Sequence, residues 1–289
     1  MGGAVSVPGT RSVLNLSMLI LAAFGAVLVT AASAQNRRLK APAQNTRVQS
    51  PAQPAEAKPS VEFKIPDGHP LTPALEAAYD SRKAMDAVKD YTARFSKEEL
   101  IGNRLTKQFM DMKFRQHPFS VYLNFYGPEA GRKVLYSDIT RGNLLVHAEG
   151  IKAIAGTQPL ALNHPEVLKE NLHPITQIGM SNLLNTVIKR WEDDTKFGEV
   201  EVKVFPGAKL GETPCIVIQT VHPQARRQFL FHKTMLYIDK QTKLPIRVEQ
   251  YGFPRSPGGP APLVEKYTYT NIKTNVGLGN QDFDPRNLN

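Results

Sequence analysis

Cysteine is almost missing from this chain, since Cys215 is the only one among its 289 residues. A single cysteine cannot form an internal disulfide, so the fold must be held together by its hydrophobic core. In the segment CIVIQTVH the thiol lies in a strand-like pattern, which favours a buried and inert side chain. A nucleophilic role would need a partner base, and the sequence points to none.

Sequence signatures of catalysis and of metal binding are also lacking. The chain has no Gly-x-Ser-x-Gly nucleophile elbow, and no two of its seven histidines have the i, i+4 or His-x-His spacing of a metal site. Five of the seven precede a proline, where the backbone tends to be extended, and this favours structural roles in turns. We therefore expect a protein that is not an enzyme and that uses neither a metal nor another cofactor.

The sequence contains one long apolar run, at residues 13–30, and this run carries no charge. Arg11 precedes the run and Ala32–Ala34 follows it, as in a secretory signal peptide with its cleavage site. We predict a signal peptide over residues 1–34, an exported protein, and a location in the periplasm or cell envelope. An uncleaved membrane anchor is the alternative, because the run is about long enough to span a bilayer.

Residues 35–68 are predicted to form a disordered basic linker, because prolines recur there among alanine, glutamine and serine. Within residues 35–60, five Lys or Arg residues against one Glu give +4 of the chain's total net charge of +10. Such a segment could bind an anionic envelope surface, or it could be a solvated spacer. Nucleic acid is not an expected partner, because the chain is exported and lacks the basic-aromatic pattern of a known binding module.

Residues 69–289 are predicted to form one domain, most of which has the two-residue period of half-buried strands. Apolar side chains occupy every second position, for example, in residues 119–126 and 199–204. The predicted strands are YTARFSKEEL, RLTKQFMDMKFRQ, FSVYLNFYG, RKVLYSD, NLLVHAEG, the alternation from Glu199 to Val204, ETPCIVIQTVH, RQFLFHKTMLYIDK, LPIRVEQYGF and LVEKYTYTNIKTN.

Two stretches have a helical period instead. Residues 71–91 begin with Thr72 as a candidate N-cap and Pro73 at the first helical position. An insertion at about residues 157–197 contains the short helix HPEVLKENL and the longer amphipathic stretch HPITQIGMSNLLNTVIKRWEDD. Short connections favour antiparallel neighbours, and one apolar face per strand needs cover on one side only. We predict an α+β fold, a curved antiparallel unclosed β-barrel with helices covering its concave face.

Several segments resemble known families. The strand-turn-strand MLYIDKQTKLPIRVEQY and the hairpin YSDITRGNLLVHAEG resemble those of LolA/LolB-like lipoprotein carriers and outer-membrane lipoprotein-sorting proteins. HPITQIGMSNLLNTVIKRWEDD and YTNIKTNVGLGNQDFDPRN are similar to the pattern of a secreted bacterial family, domain of unknown function 1571, over about residues 70–287. The resemblance implies a LolA-like unclosed barrel whose helices form a lid over an apolar cavity for acyl chains. Relatives of this architecture also act as envelope-stress sensors.

An acyl-chain site requires no sharp motif, because each buried methylene contributes roughly 0.8 kcal/mol wherever the surroundings are apolar. The apolar strand faces and the amphipathic helix are therefore the candidate ligand-binding residues. The strand candidates are Met110, Met112, Phe114, Phe119, Val121, Leu123 and Phe125, and the helix candidates are Met180, Leu184, Val187, Ile188 and Trp191. A closed, dry core made of the same residues is the alternative.

The sequence thus predicts a non-catalytic exported carrier or sensor that binds a lipid or an acylated protein and is a monomer. The alternative is a cell-envelope interaction module that binds protein or wall polymer through the outer sheet face and the basic tail. Four tyrosines could form its binding surface: Tyr122, Tyr126, Tyr267 and Tyr269. The alternation places them on the outer face or does not decide which face they occupy. A hydrolase is a third hypothesis, which would be excluded by a largest pocket without clustered polar residues.

Overall fold

The computed structural model describes residues 63–150, 154 and 156–289. The predicted signal peptide and all of the linker before residue 63 lie outside the described residues. The described chain contains three α-helices, α1 (Thr72–Met85), α2 (Pro165–Lys169) and α3 (Met180–Asp194). Short 3-10 turns lie at Asp138–Thr140, Ile175–Gln177, Asn280–Phe283 and Pro285–Leu288.

Eleven strands account for most of the remaining described residues. They are β1 (Asp90–Ile101), β2 (Arg104–Arg115), β3 (Ser120–Gly127), β4 (Lys133–Tyr136), β5 (Asn143–His147), β6 (Gln158–Ala161), β7 (Glu201–Leu210), β8 (Thr213–Val221), β9 (Lys233–Asp239), β10 (Pro245–Tyr251) and β11 (Leu263–Thr274).

All eleven strands belong to one antiparallel sheet in the order β6-β5-β4-β3-β2-β1-β11-β10-β9-β8-β7. The first and last strands of the chain, β1 and β11, are neighbours and join the two strand blocks into one sheet. Within the described residues β6 and β7 remain at opposite ends and do not pair, so the barrel is not closed. This confirms the predicted fold class.

The helices cover the apolar face of the sheet, here called the concave face. Helix α1 packs against α3 and against β7 and β8, and α3 packs against β10. Both ends of α3 are attached to the sheet by hydrogen bonds. The backbone N–H of Met180 donates to Tyr91 Oη over 3.1 Å, and Trp191 Nε1 donates to Thr220 Oγ1 over 3.2 Å. The buried side of α3 consists of Met180, Leu184, Val187, Ile188, Trp191 and Asp194.

Two predicted helical features differ in the structure. Helix α1 ends at Met85, and Tyr91 is a fully buried residue of β1, because its ring stacks on Phe114 at 4.9 Å within the core. Leu71 occupies the N-cap position without a side-chain bond, while the Thr72 hydroxyl donates to the carbonyl of His69. The segment at 157–197 contains α2, α3 and also β6, a four-residue strand too short to show a period.

The opposite, outer face is also partly covered, which the sequence did not indicate. The C-terminal turns bring Phe283 and Leu288 against Leu135, and these three side chains form a separate buried cluster. A charged pair, Lys113 Nζ with Asp282 Oδ1 at 2.8 Å, attaches this tail to β2. Cys215 is fully buried in another outer-face cluster, as expected, and burial raises the pKa of its thiol.

Candidate functional site

A cavity of ≈ 110 Å³ lies between the concave face and the helical layer. Strands β1 to β5, β10 and β11 form its floor, and α2, α3 and the segment between them form its roof. The floor is mainly apolar, with the side chains of Phe95, Met110, Leu123, Phe125, Val134 and Leu144. The roof contributes Val167, Ile175, Ile178, Leu183 and Val187. One end of the cavity, in contrast, is charged.

The predicted ligand-binding residues divide between this cavity and the packed core. Met110, Leu123, Phe125 and Val187 line the cavity. The others are Met112, Phe114, Val121, Met180, Leu184, Ile188 and Trp191, which are buried in the same core, and Phe119, which is partly buried against it. The two alternatives from the sequence, an open cavity and a closed core, therefore occur side by side. Contact of any of the twelve with a ligand stays a prediction.

An aromatic row connects the core to the charged end. The ring of Phe95 lies 4.8 Å from that of Tyr269 and 6.3 Å from that of Tyr267, and both pairs are stacked. Tyr267 and Tyr269 therefore point into the concave face, and the prediction that they could form an outer binding surface is wrong for these two. Every second residue of β11 faces the same side, so both tyrosines follow Glu265 onto the buried face.

The charged end contains two glutamates directly opposite each other on neighbouring strands. Glu99 of β1 pairs in register with Glu265 of β11, and both are buried, with 2% and 5% of their surface exposed. Lys97 and Tyr267 form the next same-face pair along these strands. Like charges opposite one another in a sheet are destabilising, so this pair requires partners that compensate for the repulsion.

Tyr267 and Lys97 supply part of that compensation. The Tyr267 hydroxyl lies 2.6 Å from Glu99 Oε1 and 3.1 Å from Glu265 Oε2, and its single proton goes to the nearer oxygen. Burial raises the pKa of Tyr267 far above its usual value, so the phenol remains a donor. Lys97 Nζ donates to Glu99 Oε2 over 3.0 Å. Burial lowers the pKa of Lys97, and the Glu99 carboxylate opposes that shift.

The remaining partners come from residues Asn171–His173 in the roof, here called the strap. Its backbone N–H at Leu172 donates to Glu99 Oε2 over 3.2 Å. His173 Nε2 lies 2.6 Å from Glu265 Oε2, and this hydrogen bond raises the pKa of the imidazole above its usual value. Asn171 Oδ1 accepts a hydrogen bond from Lys97 Nζ. The strap therefore closes the charged end through one imidazole, one backbone N–H donor and one acceptor.

Two further features hold the roof in place. Arg132 Nη1 bonds Glu129 over 2.6 Å and Glu170 over 2.9 Å, which ties the end of α2 to the turn between β3 and β4. Gly179, before α3, has φ +111° and lies so close to the sheet that a Cβ there would be 2.6 Å from Phe114 Cε2. Glycine is needed at this position both for the backbone angle and for the close approach.

Sequence reasoning missed the charged end, although a signal for it exists. Along YTARFSKEEL the apolar face of β1 continues through Phe95 to Lys97 and Glu99, so two charged residues fall on the core side. A charged side chain on an otherwise apolar strand face is unusual, because burying a charge is costly unless it is paired. Their partners on β11 and in the strap are more than 70 residues away and cannot be read from the local pattern.

The polar cluster bears on the enzyme hypothesis. The cavity between the sheet and the helices contains such a cluster, since six polar side chains meet at its charged end, so a hydrolase is not excluded. Those six include no serine, threonine or cysteine. In the part of the chain that the structure describes, no three His, Cys, Asp or Glu side chains are placed to hold a metal ion.

Two solved structures are similar to this chain at low sequence identity. A LolA superfamily protein from Nitrosomonas europaea is 10% identical, with a TM-score of 0.34, 74% of this chain covered and 98% of that chain. The lipoprotein LppX from Mycobacterium tuberculosis is 14% identical, with a TM-score of 0.41, 74% of this chain covered and 100% of that chain. No curated protein matches the chain.

None of the helices in the described part of the chain is both long and apolar enough to cross a membrane.

A sequence profile of the family described as Protein of unknown function (DUF1571) matches residues 88–289. The match begins just before β1 and includes all eleven strands, the strap, α3 and the C-terminal turns. It therefore covers well over half of the chain and contains every residue of the charged end. The chain belongs to the DUF1571 family.

Proposed function

We propose that this protein is an exported, non-catalytic carrier or sensor that holds the acyl chain of a lipid or an acylated protein between its sheet and helices. The observation that supports the proposal is a mainly apolar cavity between the sheet and the helices, with a cluster of charged and polar groups at one end. Ligand sites of this kind bind by apolar burial and use a few polar groups to fix orientation.

The cavity volume limits what fits in the closed state. An apolar cavity of about 150 Å³ holds one benzene ring, so ≈ 110 Å³ is too small for a hexadecyl chain. A long acyl chain therefore enters only if the roof moves. Each buried methylene then contributes about 0.8 kcal/mol, against the cost of ordering the chain and opening the roof.

Native mass spectrometry of the purified protein is the direct test, and it should show co-purified lipid. A second measurement is displacement of the neutral fluorescent probe N-phenyl-1-naphthylamine by hexadecanol. The variant Val187→Phe fills the cavity from α3 and should weaken probe binding by at least about tenfold, equivalent to 1.4 kcal/mol. Asn185→Phe places the same ring on the exposed side of α3 and should bind like the wild type. Equal binding by both variants, with no lipid in the mass spectrum, would overturn the proposal.

The non-enzyme part of the proposal has its own test. His173 with Glu265 is the one pair at the charged end that resembles a water-activating dyad, at 2.6 Å. We expect no turnover of p-nitrophenyl esters of short and long acyl chains. Turnover that His173→Ala abolishes, while the variant still folds, would show a hydrolase instead.

A second candidate function is an envelope interaction module that uses the outer sheet face and the basic tail. Phe109 and Tyr126 favour it, because their stacked rings are exposed on that face and the guanidinium of Arg94 lies 5.5 Å from the Tyr126 ring centre. Deleting residues 35–60 should then abolish retention in the envelope fraction, and Phe109→Ser should weaken it. Unchanged retention in both variants would count against this function.

A further inference from the structure

The two opposed carboxylates of Glu99 and Glu265 depend on the strap for part of their hydrogen bonding. Without the strap, Glu99 and Glu265 would keep one hydrogen-bonded cation, Lys97, and one hydroxyl, Tyr267. Lys97 donates its hydrogen bond to Glu99 and not to Glu265. Glu265 would therefore retain only the longer contact to Tyr267 Oη at 3.1 Å. The strap supplies the missing partner, because His173 Nε2 lies 2.6 Å from Glu265 Oε2. A buried carboxylate without a partner is costly, so whatever displaces the strap must offer Glu265 another hydrogen-bond donor.

The other groups facing Glu265 do not remove this requirement. Gln250 lies opposite it on β10 and carries no charge. Arg190 on α3 is near enough to favour the Glu265 carboxylate, but its guanidinium lies 4.6 Å from the centre of the Phe231 ring and does not line the cavity. Arg132 does line the cavity, but it is occupied by Glu129 and Glu170.

The roof must move for a long chain to enter, and the strap is the part of the roof bonded to the charged floor. We propose that the ligand is an aminolipid whose ammonium group takes the place of His173 between Glu265 and Glu99 when the strap is displaced. This inference rests on the proposed function, since it assigns the head group of the lipid that the cavity holds. A neighbouring hydroxyl or carbonyl oxygen of the lipid takes the place of Asn171 as acceptor for Lys97.

The same geometry disfavours an anionic head group. A carboxylate or phosphate at this position would lie next to two buried carboxylates that already face each other across β1 and β11. The one cation bonded within the floor, Lys97, is already paired with Glu99 at 3.0 Å. An ammonium, in contrast, donates up to three hydrogen bonds and finds carboxylate oxygens on both strands.

The test compares three probes with the same chain and different heads: hexadecylamine, hexadecanol and hexadecanoic acid. Each displaces N-phenyl-1-naphthylamine from the full-length protein in detergent-free buffer near neutral pH. We expect hexadecylamine to bind at least about tenfold more tightly than hexadecanoic acid, a difference of 1.4 kcal/mol. Hexadecanol should lie between them. Solvent extraction of the purified protein should release a lipid that reacts with fluorescamine, which detects primary amines.

Variants show whether the carboxylates cause the preference. Glu265→Gln and Glu99→Gln should each reduce the ratio of amine to acid affinity to within about threefold. Glu98→Gln is the matched control, because Glu98 is adjacent to Glu99 but pairs on the outer face with Lys107 and Lys266. It should keep the full preference. His173→Ala removes the side chain that competes for Glu265 and should strengthen hexadecylamine binding most.

The outcomes separate the two proposals. Failure of all three probes to bind would refute the carrier itself, and with it the head-group assignment. Equal binding of the three heads, tighter binding of the acid, or a preference that survives both Glu→Gln variants would refute the aminolipid alone. Recovery of an acylated protein without a free amine would also refute it. If one Glu→Gln variant does not fold by circular dichroism, the wild-type ranking and the other variant decide.

Discussion

A substitution at Gly179 tests how closely the roof approaches the sheet. It combines a backbone angle of φ +111° with a close approach, since a Cβ there would lie 2.6 Å from Phe114 Cε2 and 2.7 Å from Cζ. An alanine at this angle costs about 1–3 kcal/mol in backbone strain. Overpacking against Phe114 costs about 1–3 kcal/mol more, and the stiffer unfolded chain returns about 0.4–1 kcal/mol. Gly179→Ala should therefore lower the free energy of unfolding by about 3 kcal/mol, within a range of about 1–6 kcal/mol.

Two other glycines separate these causes. Gly211 has φ +58° with nothing within 4 Å of the added Cβ, so Gly211→Ala reports the backbone cost alone, about 1 kcal/mol. Gly198 has neither feature, and Gly198→Ala should stay within about 0.5 kcal/mol of the wild type. Urea unfolding followed by circular dichroism measures all three, and Trp191, the only tryptophan, reports α3 by fluorescence.

The steric cause can be isolated further. Phe114→Leu replaces the ring that the new methyl group would meet with a smaller side chain. It should therefore recover at least about 1 kcal/mol of the stability lost in Gly179→Ala, measured in a double-mutant cycle. A loss in Gly179→Ala no larger than that in Gly211→Ala would refute the close approach of α3 to β2. The absence of coupling between positions 114 and 179 would refute it independently.

Three further predictions concern the charged end and the tail. His173→Gln should cost more stability at about pH 6 than at about pH 9, because a raised histidine pKa stabilises the fold below its usual value near 6.5 and that contribution is lost as pH rises through the folded value. A pH-independent cost would show that the pairing with Glu265 is uncharged. Tyr267→Phe should cost about 2 kcal/mol in urea unfolding, because the Glu99 carboxylate loses a buried donor; a cost under about 0.5 kcal/mol would contradict that bond. Phe283→Ala should cost about 3 kcal/mol by thermal unfolding, since the ring is buried on the outer face. A negligible change would mean that the C-terminal turns do not dock in solution.

The charged end places two buried glutamates opposite each other on neighbouring strands. Opposed glutamates on β1 and β11 are unfavourable for folding by themselves, and they are tolerated because Lys97, Tyr267 and the strap offset the repulsion. Buried charges that depend on a movable segment for their partners are poised to accept a ligand that offers the same partners. This is the physical basis on which the ammonium site rests.

The sequence by itself determined the elements of the fold and their class. The two-residue alternation located ten of the eleven strands, and the helical spacing of Met180, Leu184, Val187 and Trp191 located α3 and its buried side. These features are local, because period and burial of a face can be read within one segment. Strand β6 was not found, since four residues with a proline carry no period.

Only the tertiary structure decided which apolar residues line a space and which fill the core, because that depends on how closely α3 approaches β2. It also decided that Glu99 lies opposite Glu265, a register set by pairing between strands at the two ends of the domain. His173 could be read from the sequence only as a turn residue before a proline. Its meeting with Glu265, 92 residues later in the chain, arises from long-range pairing that no local pattern encodes.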